Sequence, residues 1–445
     1  MTSVAYVEQQ LHHILEERAT VLARELGCIV RRRKFSGADL VQTVVFGFGQ
    51  QPHASLEQLA STAAVRAVSV SDTAIHDRFT EQTAQLLRRV LEELSEVVVQ
   101  AAQPVPLALL RRFAAVLYED STTIALPDEL ATQWPGCAGP QTPAQAALKA
   151  HTRLDLKSGR LWGPRLTPGR LADRQSPLHA EPTVAQSLFI ADLGYFSVPR
   201  MMQRRAAGGY TLTRLLTSTA LFTPQEEALV LALILPRQVG QLTELEVLVG
   251  SRRRHAMRLV LLRVPAEVGE KRRQRLREEA RRRQQPVSEQ ALWLADWTIL
   301  LTDAPATVLR AAEALVLLRE RWQLELLYKL WKQQAQVEEW HTANPWRVLC
   351  ELYAKLIGVL LQHWLIVLFA WQDPQRSLVK LAQVCRDVGC TIMEALGGFR
   401  SLRCALRLIQ RRMGSGCQMN TRRAHPNSAQ LLEAQAVEWA LTWCE

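Results

Sequence analysis

The stretch SLFIAD, residues 187–192, joins a short apolar run to an aspartate, which is the pattern of a buried β-strand followed by a polar side chain. A similar run closes RRFAAVLYED at 111–120, and LKAHTRLDLKSGRL at 148–161 alternates around a Lys157-Ser158-Gly159 turn, which predicts a hairpin. Further strands are predicted in YTLTRL (210–215), EEALVLALIL (226–235), LTELEVLVG (242–250), MRLVLLRVP (257–265) and WTILLTDAP (297–305). The centre of the chain is therefore of the α/β or α+β class.

Both flanks of this centre have the periodicity of helices. In the first 105 residues, SLEQLASTAAVRA and DTAIHDRFTEQTAQLLRRVLEELSEVVV are separated by VSVS, an arrangement similar to a DNA-binding helix-turn-helix in which Ser71 or Asp72 caps the second helix. After NPW at 344–346 the pattern is helical to about residue 413, and a last helix follows a polar loop at 414–428. The apolar run at 356–371 is 16 residues long and contains Gln362 and His363, which favours a buried helix over a membrane span.

Length and charge limit the class of protein. A chain of 445 residues predicts two to four domains. The net charge is +11, and arginine occurs in clusters at 31–34, 203–205, 252–254 and 271–283, which favours a polyanionic partner such as nucleic acid over ordinary solubility charge. The eight cysteines form no CxxC pair, and no secretory signal opens the chain. We therefore expect no structural zinc site and a cytoplasmic location.

The segment RWQLELLYKLWK, residues 321–332, places one carboxylate between two cations. A helix turns about 100° per residue, so Arg321, Glu325 and Lys332 are predicted to share one narrow face. This face is either an ion-paired surface stripe or a helix that presents an acid to a metal and two cations to phosphates. Trp322 is expected to lie in the core rather than to stack on a base.

Two further acids are predicted to close strands, namely Asp120 in LYED and Asp192 in FIAD. Three carboxylates brought close together repel one another unless a cation compensates them, and Mg²⁺ prefers such oxygen ligands. Two ions about 4 Å apart would suit phosphodiester chemistry. Each acid also has a simpler interpretation as a turn residue, and Glu119 and Asp128 are rivals for the first position.

Four ordered segments resemble the DDE transposases of the insertion-sequence-four group: 118–130, 149–161, 190–197 and 301–332. The family signature Y-x2-R-x3-E-x6-K is matched by Arg321, Glu325 and Lys332, whereas Leu318 replaces the tyrosine. The resemblance implies an α/β ribonuclease-H-like catalytic core, interrupted by a mostly β insertion and flanked by N- and C-terminal helical regions. The implied divisions are a helical DNA-binding region at 1–105, the first part of the core at 106–209, the insertion at 210–296, the last core strand and third-acid helix at 297–340, and a helical region at 341–445.

The resemblance also implies a chemistry and partners. Asp120, Asp192 and Glu325 would hold two Mg²⁺ ions, for which Mn²⁺ could substitute, and water would cut the transposon end to free a 3′-OH for strand transfer. The DNA-contacting side chains expected from the signature and the arginine clusters are Arg321, Lys332, Arg214, Arg252, Arg253, Lys271, Arg272 and Arg273. The partner is expected to be double-stranded DNA, both terminal inverted repeats and target, bound by a homodimer on paired ends in the bacterial cytoplasm at the nucleoid, without a membrane.

Two alternatives use the same residues. A nuclease of the same fold would stop after hydrolysis. A catalytically inactive DNA-binding descendant would recognise the ends without cutting them, and the replacement of the signature tyrosine by Leu318 is the feature that favours it.

Overall fold

The computed structural model describes residues 2–29, 35–137, 146–251, 253–420 and 428–434. The chain forms two compact units, each built from separated segments. Unit 1 contains Met1–Pro106, Asp120–Ala180 and Leu324–Asn420. Unit 2 contains Leu107–Glu119, Glu181–Gln323 and Thr421–Glu445.

Helices predominate at the two ends of the chain and strands in its centre. The α-helices are α1 (Val4–His12), α2 (Ala19–Glu25), α3 (Gly37–Gln50), α4 (Leu56–Ala64), α5 (Asp72–His76), α6 (Glu81–Glu96), α7 (Ala108–Arg111), α8 (Val198–Ala206), α9 (Leu231–Ile234), α10 (Ala266–Arg283), α11 (Glu289–Leu294), α12 (Ala311–Glu320), α13 (Trp322–Gln333), α14 (Pro345–Phe369), α15 (Leu378–Asp387), α16 (Gly389–Leu396), α17 (Leu402–Met413) and α18 (Ser428–Ala434). The strands are β1 (Val116–Ala125), β2 (Ala147–Asp155), β3 (Leu161–Pro168), β4 (Leu188–Ala191), β5 (Tyr210–Arg214), β6 (Leu221–Phe222), β7 (Leu242–Val249), β8 (His255–Arg263) and β9 (Trp297–Thr302).

Helix α14 is the central helix of unit 1, where it packs against α3 and α6. It is the one helix in the described part of the chain that is long and apolar enough to cross a membrane, yet 78% of its most apolar window is buried inside the protein. An apolar helix that is buried on nearly all sides is typical of the core of a large globular unit. The prediction of a buried helix in this region is confirmed.

His363 connects α14 to the turn between β2 and β3 in unit 1. Its Nε2 donates a hydrogen bond to the Gly159 carbonyl oxygen at 2.8 Å, and its ring packs edge-on against Trp371 at 5.7 Å between centroids. Gly159 has a φ of +74°, and a Cβ there would lie 2.5 Å from the Trp371 ring, so glycine is required on both counts. Burial lowers the pKa of His363 to about 4.

We expect His363 to make unit 1 sensitive to acid. Unfolding exposes the imidazole, whose pKa then returns to about 6.5, so the unfolded state binds the additional proton. The free energy of unfolding should therefore fall as the pH drops from about 6.5 to about 4, by roughly 3 kcal/mol from this group. Denaturant titrations across this range should show a smaller loss for His363→Gln, which keeps a donor without the titration; an unchanged pH profile would contradict the assignment.

The first helix of the predicted N-terminal pair is α4 in unit 1, and the segment predicted as the second helix is divided into α5 and α6 by a break at 77–80. The Ser71 hydroxyl accepts a hydrogen bond from the Ala74 N–H, so Ser71 is the N-cap of the second helix as predicted. Helix α4 begins with a capping box in which Ser55 and Gln58 satisfy each other's backbone N–H groups. Contact between this pair and DNA remains a prediction.

Strands β2 and β3 form the predicted antiparallel hairpin, which lies in unit 1. Ser158 and Lys157 at its turn donate backbone hydrogen bonds to the Asp155 carboxylate, at 3.2 and 3.1 Å. The strand order in this unit is β3-β2-β1, with β1 belonging to it from Asp120 onward.

Unit 2 contains a mixed sheet in the order β1-β4-β5-β9-β8-β7-β6. Strands β1, β4 and β5 run parallel, with Glu119 opposite Ala191 and Ala191 opposite Thr213. Strand β9 is antiparallel to both β5 and β8, and β7 is antiparallel to β8. The prediction of a mixed α/β centre is confirmed.

The strand predicted at 226–235 is wrong. This segment contains the short helix α9 and one isolated bridge, between Ala228 and Phe222. Leu233 is 83% exposed, whereas Leu235 is buried in the core of unit 2. Pro224 and Pro236 lie on either side of the segment and cannot donate backbone hydrogen bonds to a ladder, so no continuous strand forms although the composition matches that of one.

Candidate active site

Asp120 lies within β1 rather than at its end, so its predicted place at a strand exit is wrong. The strand continues through Ser121, Thr122, Thr123 and Ile124 to its end at Ala125. Threonine and isoleucine are branched at Cβ and favour extended backbone, which explains why the strand does not stop at the acid. The Asp120 carboxylate is half-buried and accepts a hydrogen bond from the Ser121 N–H at 2.9 Å.

The two rival acids near Asp120 have different surroundings. Glu119 is completely buried and points to the opposite face of the strand, because successive side chains alternate. Asp128 is exposed in the 3₁₀ turn Asp128–Leu130. Asp120 is thus the one of the three that a substrate could reach from a rigid strand.

Helix α13 contacts the Asp120 region of β1 within unit 1. The Tyr328 hydroxyl donates to the Asp120 carbonyl oxygen at 2.7 Å, and Lys332 Nζ lies 3.4 Å from the Thr123 carbonyl oxygen. Glu325 is one turn before Tyr328, and residues three apart are neighbours on a helix surface. The elements that carry Asp120 and Glu325 are therefore joined by direct hydrogen bonds.

The sequence pattern from Ala306 to about Glu339 allows one long helix or two in line, and the structure has two. Helix α12 ends at Glu320, Arg321 is its C-cap, and α13 begins at Trp322. Only Glu325 and Lys332 share a helix, and Lys332 Nζ also pairs with Glu338 at 2.5 Å. The expectation of a core position for Trp322 is wrong, since 41% of its surface is exposed.

Asp192 follows β4 directly, as predicted, and lies in unit 2. Its backbone begins the 3₁₀ turn Leu193–Tyr195, but its side chain makes no capping hydrogen bond. The carboxylate is 43% exposed and lies 4.0 Å from Arg321 Nη2, a cation of the same unit. A turn-capping role does not occupy this carboxylate, which stays accessible beside a guanidinium.

Asp303 is another acid of unit 2, and it lies at the opposite end of the strands from Asp192. Its carboxylate accepts a hydrogen bond from the Thr211 N–H at the beginning of β5, whereas Asp192 follows the end of β4, which runs parallel to β5. Burial raises the pKa of Asp303 to about 6. This acid is therefore separated from Asp192 by the length of the strands.

The predicted DNA-contacting cations have different surroundings. Arg272 donates to the Trp297 carbonyl oxygen and to Thr298, and Arg273 pairs with Glu270 and Asp296, so both already have partners in unit 2. Lys271 on α10 and Arg253 before β8 are exposed, whereas Arg214 in β5 is half-buried. Arg252 and the basic cluster at 31–34 lie outside the described residues.

The donor set suits a hard cation, because Asp120, Asp192 and Glu325 all offer carboxylate oxygens of the kind that Mg²⁺ binds. Within the part of the chain that the structure describes, no group of three or more His, Cys, Asp or Glu side chains is arranged to hold a metal ion. The argument that these acids could bind a divalent cation therefore depends on the chemistry of their carboxylates. In unit 1 it also depends on the contact between the elements that carry Asp120 and Glu325.

Sequence reasoning missed Tyr328, which makes the principal contact between α13 and β1. Its hydroxyl reaches both the Asp120 backbone and the Thr152 hydroxyl, the latter at 2.6 Å. The available signal was its position, three residues after Glu325 on the same helix face.

Comparison with known proteins gives a consistent family. Residues 112–361 match the family described as transposase DDE domain. The chain is 27% identical to the transposase for insertion sequence element IS231F of Bacillus thuringiensis subsp. israelensis, over 80% of this chain and 78% of that protein. The identity is 25% with the IS231E transposase of Bacillus thuringiensis subsp. finitimus, with the same coverage, and 20% with the IS1151 transposase of Clostridium perfringens, over 78% of this chain and 77% of that protein.

Proposed function

The chain belongs to the transposase DDE domain family, and from that premise we propose that it is the transposase of an insertion sequence, which cuts the ends of its element and joins them to target DNA. The observation that carries this proposal is the hydrogen-bonded contact that holds α13, with Glu325, against β1, with Asp120. Relatives that cover most of the chain and are named insertion-sequence transposases support the same function.

We propose further that the catalytic core is ribonuclease-H-like. Support comes from the antiparallel β2–β3 hairpin in the order β3-β2-β1 of unit 1, and from the parallel order β1-β4-β5 of unit 2. The β insertion expected at 210–296 includes β5, but β5 pairs parallel with β4, so we assign β5 to the core and β6, β7 and β8 to the insertion between the second and third acids. The helical regions at 1–105 and 341–445 would flank this core.

In the proposed mechanism Asp120, Asp192 and Glu325 would hold two Mg²⁺ ions, which would supply an activated water and charge stabilisation at the cut phosphate. Arg321, beside Asp192, and Lys332, on the helix of Glu325, would contact phosphate oxygens and offset the charge that develops there. No protein nucleophile is required. Mn²⁺ would be an acceptable substitute because it also accepts carboxylate oxygens.

The proposed partner is double-stranded DNA, both the terminal inverted repeats and the target. Exposed cations such as Lys271 and Arg253 support backbone contacts, since neutralising phosphates releases counterions. A homodimer on paired ends would coordinate the breaks at both ends, and the natural location is the bacterial cytoplasm at the nucleoid. Arg272 and Arg273 would contribute less than Lys271, because they are already engaged within unit 2.

One observation favours a second candidate, an inactive DNA-binding descendant. Leu318, at the tyrosine position of the signature, is 5% exposed and provides no hydroxyl. Such a protein would bind end DNA, meaning DNA that carries a terminal sequence of the element encoding this chain, and would leave it uncut.

A strand-transfer assay separates these functions. We expect the chain to nick end DNA in the presence of Mg²⁺ but not of EDTA, and to join a pre-cleaved end with a free 3′-OH to a target duplex. Nicking without joining would support a nuclease instead. Binding of end DNA with neither nicking nor joining would support the inactive descendant.

A further inference from the structure

We propose that Tyr328 is a positioning residue that fixes Glu325 relative to Asp120 through its hydroxyl, an inference that rests on the proposed catalytic role of these two acids. All the contacts involved lie within unit 1. Tyr328 itself would not touch substrate or metal ion, because it is 6% exposed and packed between α13 and the strands.

The hydroxyl of Tyr328 joins one helix to two strands. It lies 2.7 Å from the Asp120 carbonyl oxygen in β1 and 2.6 Å from the Thr152 hydroxyl in β2. A phenol has one proton, which goes to the carbonyl because that oxygen can only accept, so Thr152 is the donor in the second bond. Thr152 is completely buried, and bonds of this kind are costly to leave unmade.

The connection is made by a hydroxyl group. From 311 to 333, the range of α12 and α13, Tyr328 is the only residue with a hydroxyl group. Lys332 also contacts β1, but its bond to the Thr123 carbonyl oxygen is longer, at 3.4 Å, and it shares its charge with Glu338. The aromatic ring of Tyr328 packs edge-on against Trp331, at 5.5 Å between centroids, and this packing survives removal of the hydroxyl.

The effect on Glu325 follows from the rigidity of a helix. Glu325 lies three residues before Tyr328, about 4.5 Å along the axis, so a rotation or shift of α13 at Tyr328 moves the carboxylate by a similar amount. Groups that orient metal ligands typically change metal affinity or activity by about 10–100-fold when they are removed. A misplacement of about 1 Å is enough for a loss of that size.

The test is Tyr328→Phe, which removes the hydroxyl and keeps the ring. Mn²⁺ binding to the full-length chain, followed by electron paramagnetic resonance, should weaken about tenfold or more, and single-turnover cleavage of end DNA should slow about 10–100-fold. Thermal unfolding should show only the small loss expected for one buried hydrogen bond, roughly 1 kcal/mol. Thr152→Val should weaken Mn²⁺ binding less, and combining it with Tyr328→Phe should add little, because both act through one hydroxyl.

Tyr353→Phe is the matched control, since Tyr353 is a buried tyrosine of the same unit on α14. Unchanged Mn²⁺ affinity in Tyr328→Phe, or an equal loss in Tyr353→Phe, would overturn the positioning role. Mn²⁺ binding should also be measured for Asp120→Asn and Glu325→Gln. These two variants distinguish an error in the role of Tyr328 from an error in the proposed metal site. If both acid variants lose Mn²⁺ binding while Tyr328→Phe does not, only the role of Tyr328 is wrong; if neither acid variant loses it, the proposed metal site is wrong as well.

Discussion

Asp120→Asn, Asp192→Asn and Glu325→Gln should each lower the rate of end cleavage by about 10³-fold or more, which corresponds to roughly 4 kcal/mol of transition-state stabilisation. Each amide keeps the size of the side chain and removes the charge that a hard divalent ion requires. Binding of end DNA should remain near that of the unaltered chain, because removing a negative charge does not weaken contacts to phosphates. Single-turnover cleavage and gel-shift assays on the same preparations measure the two properties separately.

Two further variants define the specificity of this result. Asp128→Asn should cleave normally, since Asp128 is exposed in a turn after β1. Lys332→Ala should weaken cleavage less than the loss of an acid does, because a phosphate contact supports a reaction that the acids make possible. Cleavage near the normal rate in any one acid variant would remove that residue from the proposed site, and a loss in Lys332→Ala as large as that of an acid would contradict its supporting role.

The parts of the fold that could be predicted are those in which local pattern and burial agree. The β2–β3 hairpin follows from its Lys157-Ser158-Gly159 turn, whereas the irregularity in its register between His151 and Arg153 has no local signal. Strands β4, β8 and β9 are short apolar runs that are largely buried in the structure, whereas β7 alternates with glutamates and is mostly half-buried. The segment at 226–235 is also apolar, but it has proline on both sides and pairs only through the isolated bridge between Ala228 and Phe222.

The predictions for the site fail where position depends on packing between distant parts of the chain. Asp120 was predicted to end its strand, whereas Thr122, Thr123 and Ile124 continue the strand under α13. The contact between Tyr328 and Asp120 joins residues separated by 208 positions, and no local spacing indicates it. Asp192 was predictable because its place depends only on where β4 ends.

A second large effect is expected from Arg66→Ala, which should lower the free energy of unfolding of unit 1 by about 3–5 kcal/mol. Arg66 is 10% exposed at its side chain and donates to Asp39 at 2.6 Å, to Gln42 at 2.8 Å and to both carboxylate oxygens of Glu16. Alanine would leave the two acids partly buried without a cation, and uncompensated buried charge is far more costly than the loss of an exposed ion pair. The measurement is urea unfolding of the full-length chain, with the transition of unit 1 followed separately from that of unit 2.

Arg24→Ala is the matched control, because Arg24 is an exposed arginine on α2, in the same helical region. A surface change of this kind should alter stability by no more than about 0.5 kcal/mol. Arg66 lies two residues after the end of α4, so its bonds to Glu16 and Asp39 connect the predicted DNA-binding helices to α3 and to the π-helical segment His13–Arg18 before α2. Arg66→Ala should therefore also weaken binding of end DNA at temperatures where the rest of the chain stays folded. Equal stability of the two variants would show that the Arg66 network contributes no more than a surface charge.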